Sequence, residues 1–335
     1  MATLILTQPQ IRALLPMPAC MDLMEEALTT LARGEALNPL RSVLRLAGCR
    51  GLLGMMPGSY ETRGVFGLKV VGILPSNRGT PYDTHQGVVL LFDAEHGLPR
   101  AILDASEITA IRTAAASGLA TRLLAREDAG DLAILGSGVQ AKTHLDAMIC
   151  ARTLRRVRVF SPTPSSRDGF AARESRRHGI RVESVETARA AVDGADLVCT
   201  ITSSVEPIVL GEWLAPGTHV NAVGACTKNA RELDSAAVLR SRLFVDRRES
   251  TLNESGDFLI PKREGLFGDD HIRGELGDVL LGRCAGRRSA EEITLFKSLG
   301  IAVEDLAVAS HLDRVAREQG VGTLVELGGT RHEAD

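Results

Sequence analysis

The chain has 335 residues, of which 44% are apolar, 24% charged and 3% aromatic. This is the profile of a globular protein long enough for roughly two domains, and it excludes disorder, collagen-like repeats and a small disulfide scaffold. Lysine and arginine number 39 against 42 acids, a net charge of −3, so no positive excess is available for a phosphate backbone or an anionic membrane surface. Apolar runs such as 88–92 fall far short of the roughly 20 residues of a membrane span, and residues 1–7 lack the regions of a signal peptide. A cytosolic protein with neither nucleic-acid nor membrane partners is expected.

In chain order, Met24, Ala27, Leu28 and Leu31 recur at helical spacing. Short apolar runs at 43–46, 52–56, 66–74, 87–93 and 99–104 then read as strands. No helix-length pattern intervenes among them, which predicts an antiparallel or mixed sheet. From 106 the pattern turns helical, with Ile108, Ile111, Ala115, Leu119 and Leu123 on one side. An alternation follows: strands at 132–135, 157–160, 197–201, 219–223 and 243–246, with helices at 139–150 and 168–178. Strands alternating with helices predict a parallel, doubly wound sheet. A last helix at 303–319 would cross back to the first domain. The expected fold class is therefore α/β: a Rossmann domain over 119–303 and a mixed α+β domain built from 1–118 and 304–335. The six cysteines (Cys20, Cys49, Cys150, Cys199, Cys226, Cys284) form no CxxC pair, so most are read as small core residues and no metal site is predicted.

Directly after the strand 132–135, Gly136, Gly138 and Ala141 form a GxGxxA pattern at the start of a helix. The first glycine suits a tight turn and the second lets backbone approach a pyrophosphate. The small third residue lets helix and strand pack, and the helix N-terminus presents unpaired amides to the phosphates. The alternative is a Gly-rich turn of a flavodoxin-like domain without nucleotide. After the next strand comes Phe160 and then Ser161-Pro162-Thr163-Pro164-Ser165-Ser166-Arg167, with no acid to grip a ribose 2′-hydroxyl. Ser161, Thr163 and Arg167 suit a 2′-phosphate, which favours NADP(H) and leaves NAD(H) possible. The alternative is that Ser165 and Ser166 only cap the following helix.

Only five lysines occur, and Lys69 lies inside the apolar run FGLKVVG at 66–72, where an unpaired ammonium would be costly unless an anion meets it. Arg112 is read as opening the helix before the nucleotide domain, and Arg41 precedes the first strand of the sheet. Converging on one cleft, the three cations would clamp a carboxylate. Taken singly, each reads first as a surface ion pair.

The blocks PLRSVLRL, GLLGMMPGSY, GLKVVGILPSN, THQGVVLLFD, IRTAAASGLA, ILGSGVQA, VNAVGA, RELD and FKSLGIAVEDLAVA, in that order, resemble the ornithine cyclodeaminase and mu-crystallin family over roughly 41–309. The resemblance implies a homodimer whose first domain serves substrate binding and dimerisation. It also implies hydride transfer between a nicotinamide and the Cα of an amino or imino acid. It assigns Arg41, Lys69 and Arg112 to the substrate carboxylate, Lys69 and Arg112 being the catalytic pair, with Arg112 and Thr84 also beside the cofactor. Gly136, Gly138, Val139 and Gln140 fall to the pyrophosphate and Ser161 to the ribose. Thr202 and the run Asn221 to Gly224, including Val223, fall to the nicotinamide side, and Ser298 and Leu299 to a loop over that ring. His85 is a candidate polar or proton-relaying group. Where deaminating members carry an Asp two residues after NAVG, this chain has Cys226, and in lacking the acid it resembles members that reduce cyclic imines. The reading that follows is reduction of Δ1-pyrroline-2-carboxylate or Δ1-piperideine-2-carboxylate. Its alternatives are an alanine-type L-amino-acid dehydrogenase, an ornithine cyclodeaminase, or a nonenzymatic protein that binds NADPH and a small ligand.

Overall fold

A computed structural model describes residues 2–327 except Arg78, and of Cys49 the backbone alone. The tail of the expected 304–335 segment beyond 327 lies outside the described residues, as does the side chain of Cys49. In chain order the elements are β1 (Thr3–Leu6), α1 (Gln8–Leu14), α2 (Met17–Arg33), β2 (Ala36–Leu37), β3 (Ser42–Arg45), β4 (Leu52–Tyr60), β5 (Val65–Ile73), β6 (His85–Asp93), β7 (Pro99–Asp104) and α3 (Ala105–Leu124). The middle of the chain supplies β8 (Asp131–Leu135), α4 (Val139–Ala151), β9 (Arg156–Phe160), α5 (Pro164–His178), β10 (Val182–Ser184), α6 (Ala188–Val192), β11 (Leu197–Thr200) and β12 (His219–Ala222). It continues through α7 (Ser235–Leu239), β13 (Ser241–Val245), α8 (Arg248–Glu254), α9 (Gly256–Arg263), β14 (Ile272–Glu275), α10 (Leu276–Leu280) and β15 (Ile293–Lys297). The chain then returns through α11 (Ala302–Gln319) and β16 (Thr323–Val325).

Two compact units result: Met1–Arg112 with Ile301–Asp335, and Thr113–Gly300. The first boundary falls at 112/113 rather than at the expected 118/119, and the second at 300/301 rather than 303/304. The first lies inside the continuous helix α3, where periodicity offers no break.

In the first unit β4, β5, β6 and β7 pair antiparallel, while β1 joins β7 in parallel, so the sheet is mixed. Lys69 stands opposite Met56 and Val89. The buried rows run through Met56, Val65, Lys69, Val89 and Leu91, and α11 packs against β4 and β5 on that side. The strand period of two puts the alternate residues of β4, β5 and β6 on the other face. Those residues, Leu53, Met55, Leu68, Val70, Val88 and Leu90, are apolar yet only half-buried.

The second unit is a parallel sheet in the order β10-β9-β8-β11-β12-β15-β13-β14. The order reverses between β8 and β11, the switch point at whose C-terminal edge such sheets bind ligands. The strands β10, β14 and β15 had no counterpart in the periodicity; each is too short to be told from a helix turn or loop by pattern. No helix among the described residues is long and apolar enough to cross a membrane.

Candidate active site

In the first unit the buried lysine has its anion within the protein. Lys69 Nζ lies 2.7 Å from Asp305 Oδ2, and Arg112 donates to Asp305 Oδ1 and to Glu304 Oε2, each at 2.9 Å. All four side chains are buried. The acids come from the first turn of α11, where the helix dipole favours negative charge. Arg112 does not open a helix, as the sequence pattern suggested; it sits about two turns inside α3, which begins at Ala105. Burial, then the charge of Arg112, lowers the pKa of Lys69 to about 8, with Asp305 opposing and Arg41 adding to the decrease. Burial alone would raise the carboxyl of Asp305, but the charges of Arg112 and Lys69 hold it below its ordinary range. Arg41, just ahead of β3, is therefore close enough for its charge to be felt at Lys69.

His85 begins β6, on the face of the sheet that carries Lys69. Its pKa is lowered by desolvation first and by Lys69 second, so it is neutral near pH 7. Its Nδ1 lies 2.9 Å from the Thr84 hydroxyl. The structure thus brings together Arg41, Lys69, Arg112, Thr84 and His85. It adds two residues that the sequence motifs did not single out, Glu304 and Asp305. Their signal was present, since a buried lysine demands an anion and the block FKSLGIAVEDLAVA carries adjacent acids.

In the second unit Gly136 follows β8 with φ 123°, a conformation that suits glycine, and a Cβ there would lie 2.9 Å from the Ile201 carbonyl oxygen. Gly138 precedes α4, has open space where a Cβ would be, and offers no capping side chain to the helix. A tight turn, an unobstructed glycine and a helix N-terminus opening at Val139 fit a dinucleotide pyrophosphate. Ser161 follows β9 and is buried; its carbonyl accepts from Arg167 Nη1 at 3.2 Å. The helix α5 starts at Pro164, not 168, because Pro suits its first position; Thr163 precedes it, and Ser165 and Ser166 lie in its first turn rather than capping it.

At the C-terminal edge, the Thr202 N–H and hydroxyl both donate to Glu232 Oε1, at 2.6 and 2.8 Å, and the Gly224 N–H donates to Glu232 Oε2 at 2.7 Å. Val223 is buried between them, and its N–H donates to the Thr200 carbonyl. Asn221 is the next-to-last residue of β12 and is fully buried, with its amide donating to the Thr121 hydroxyl at 3.0 Å and its oxygen 3.3 Å from His219 Nε2. Ser298 and Leu299 are buried, and the Leu299 and Gly300 N–H groups both donate to Asp246 Oδ2, at 2.6 and 2.7 Å. Asp246 was missed because a lone acid after a strand carries no spacing signal. Cys226 is half-buried, with Sγ 3.4 Å from the Val223 carbonyl oxygen. Among the described residues no group of His, Cys, Asp and Glu forms a metal site.

A doubly wound parallel sheet with a Gly-rich first turn, joined to a unit with a buried cation cluster, is the architecture of a two-unit nucleotide-binding protein. A family model described as the ornithine cyclodeaminase/mu-crystallin family matches residues 1–319, and the chain belongs to that family. It is similar to a Δ1-pyrroline-2-carboxylate reductase of Bacillus cereus, at 38% identity over 302 residues, 90% of this chain and 93% of that protein. It is also similar to ketimine reductase mu-crystallin of Mus musculus, at 40% identity over 289 residues, 85% of this chain and 88% of that protein. Among solved structures it resembles the Thermococcus litoralis Δ1-pyrroline-2-carboxylate reductase in complex with NADH and L-proline. The TM-score is 0.93 at 39% identity, over 96% of this chain and 99% of that one.

Proposed function

We propose that the protein is an NAD(P)H-dependent oxidoreductase acting on C=N bonds. It reduces a small cyclic α-imino acid, Δ1-pyrroline-2-carboxylate or Δ1-piperideine-2-carboxylate, to the L-amino acid. The names of its relatives support the reaction class, and one observation supports the substrate class. Lys69 and Arg112 are buried against Glu304 and Asp305, and Arg41 stands near enough to add, after burial and Arg112, to the lowering of the Lys69 pKa. A substrate carboxylate relieves that mutual repulsion. Asp305 and Glu304 fix the two buried cations in place before the substrate arrives, which is the preorganisation that carboxylate recognition needs.

The nicotinamide supplies the hydride when bound. Gly136, Gly138 and the first amides of α4 would hold its pyrophosphate, and the family resemblance assigns Thr84 and Arg112 to its substrate side and Ser298 and Leu299 to a loop over its ring. A cyclic imine arrives protonated and needs no protein carboxylate to take up hydride, so Cys226 suffices where an acid would serve deamination. NADPH is the preferred form, because no acid follows β9 and Arg167 lies within reach of Ser161. A second copy of the chain covers the apolar outer face of the first unit's sheet, where Leu44 and Phe66 are exposed.

The deciding experiment is oxidation of NADPH and NADH by the purified protein with each cyclic imino acid. Turnover supports the reading. A cofactor-dependent fluorescence change with no turnover on any imino acid would replace it with the ligand-binding alternative.

A further inference from the structure

The C-terminal edge of the parallel sheet is clasped by a carboxylate to which the motifs assigned no chemistry. Glu232 is fully buried, yet it accepts four hydrogen bonds. Three come from Thr202 and Gly224, and the fourth from the Thr200 hydroxyl at 2.9 Å. The donors belong to the ends of the neighbouring strands β11 and β12. The fit is close: a Cβ on Gly224 would lie 2.1 Å from the Thr202 carbonyl oxygen and 2.5 Å from Glu232 Oε1.

Glu232 is itself held by a second charged layer. Its N–H and that of Leu233 donate to Asp257 Oδ1 at 2.8 and 3.0 Å, and Asp257 Oδ2 pairs with Lys297 Nζ at 3.0 Å at the end of β15. Asp257 and Lys297 are buried as well, and Lys297 feels the charge of Asp257, Cys226 and Glu232. Burial, joined by the charge of Asp257, raises the Glu232 carboxyl above its ordinary range, with Lys297 and the Thr202 donors opposing. The donor set decides its state, because two backbone N–H groups and two hydroxyls aimed at one carboxyl are the partners of an ionised acid. Two carboxylates then face one ammonium, and one negative charge stays buried beside the strand ends. Such a charge is costly to keep in place unless something uses it.

We infer that Glu232 is a positioning and electrostatic residue for the nicotinamide: it sets Thr202 and Gly224 at the strand ends, and the unbalanced negative charge of its cluster favours the oxidised, cationic ring over the reduced, neutral one. The inference rests on the reading of Thr202 and Gly224 as neighbours of that ring. In imine reduction the C4–H bond breaks and a C–H bond forms at the imine carbon. The C=N electron pair passes to the protonated nitrogen, and positive charge moves from substrate to ring. A fixed anion on the ring side stabilises that shift.

The test is the pair of dissociation constants for oxidised and reduced cofactor, measured separately by calorimetry and fluorescence on the whole protein. Glu232→Gln is expected to weaken the oxidised form about tenfold more than the reduced form, the order of magnitude for losing a unit charge near the ring at an effective dielectric near 20. Should that variant not fold, two changes in the second layer carry the same test. Asp257→Asn removes a negative charge and is expected to shift the ratio toward the reduced form. Lys297→Met removes the positive charge and is expected to shift it toward the oxidised form. Opposite signs support an electrostatic role, since a clasp that only orders loops would weaken both forms alike. Equal losses in both forms, or shifts of the same sign in both second-layer variants, would overturn the inference. Absence of cofactor binding by the natural protein would instead overturn the functional reading beneath it.

Discussion

Replacing Lys69 by methionine isolates the charge that the substrate carboxylate is proposed to meet. The ammonium is buried in β5 with Asp305 at 2.7 Å, and its pKa stands at about 8 rather than at the ordinary 10.5. A lysine whose folded pKa is depressed opposes folding most below that value, and the opposition fades as pH rises toward 10.5. The difference corresponds to about 3 kcal/mol at neutral pH. Methionine removes this burden, and Asp305 keeps its bond to Arg112 at 2.9 Å, so the variant is expected to fold. Loss of one partner of a desolvated charge pair costs about 2–5 kcal/mol of binding, which is a fall in kcat/KM of roughly 30-fold to several thousandfold.

The pH profile gives a sharper signature. In the natural protein Lys69 loses its proton as pH rises through about 8, so KM for the imino acid is expected to climb above that pH while cofactor affinity holds. The climb is expected to be absent in the methionine variant, which lacks the titrating group. The assay is steady-state NADPH oxidation against imino acid from about pH 6 to about pH 10, a window that brackets the lysine's folded and ordinary values, with cofactor Kd from fluorescence quenching. A Lys69→Met protein within a few-fold of natural kcat/KM, or one that keeps the alkaline rise in KM, would refute the assignment.

Three further outcomes are expected. Arg167→Ala is expected to raise KM for NADPH about tenfold more than for NADH, because the guanidinium now bonded to the Ser161 carbonyl is the cation proposed to meet a 2′-phosphate; equal effects on both cofactors would leave Arg167 a structural residue. Cys226→Ser is expected to retain most imine reductase activity, and the natural protein to release no ammonia from L-ornithine. Robust cyclodeamination that the serine variant abolishes would make the thiol a substitute for the missing acid. Asp246→Asn leaves one oxygen where the carboxylate now serves three N–H groups, those of Arg247, Leu299 and Gly300. An opposed donor costs about 1–3 kcal/mol, so a lower Tm and a weaker Kd for cofactor are expected; an unchanged Kd by calorimetry would separate the 298–300 loop from the cofactor.

Periodicity and local turn chemistry determined a good part of this protein before any coordinates. The strand, glycine turn and helix at 132–150 are adjacent in sequence, and what they need, a tight turn followed by exposed amides, is a local property of the backbone. The same holds for the strands at 52–56 and 87–93, where residues of one face recur at a period of two. Lys69 also stood out, because an ammonium in an apolar strand announces a missing anion.

Only the tertiary structure decided which anion meets it. Asp305 lies far along the chain in α11, and nothing in the spacing of either residue links that helix to β5. The same reason hides the Glu232–Asp257–Lys297 cluster and the hold of Asp246 on residues 299 and 300, since each joins groups from elements far apart in the chain. Asn221 is one more case: nothing in its block tells that its amide, buried in β12, is given to Thr121. Sequence governs what a residue can do within a turn or two of its neighbours. The partner that decides whether it binds, positions or packs is set by how the sheets and helices fold together.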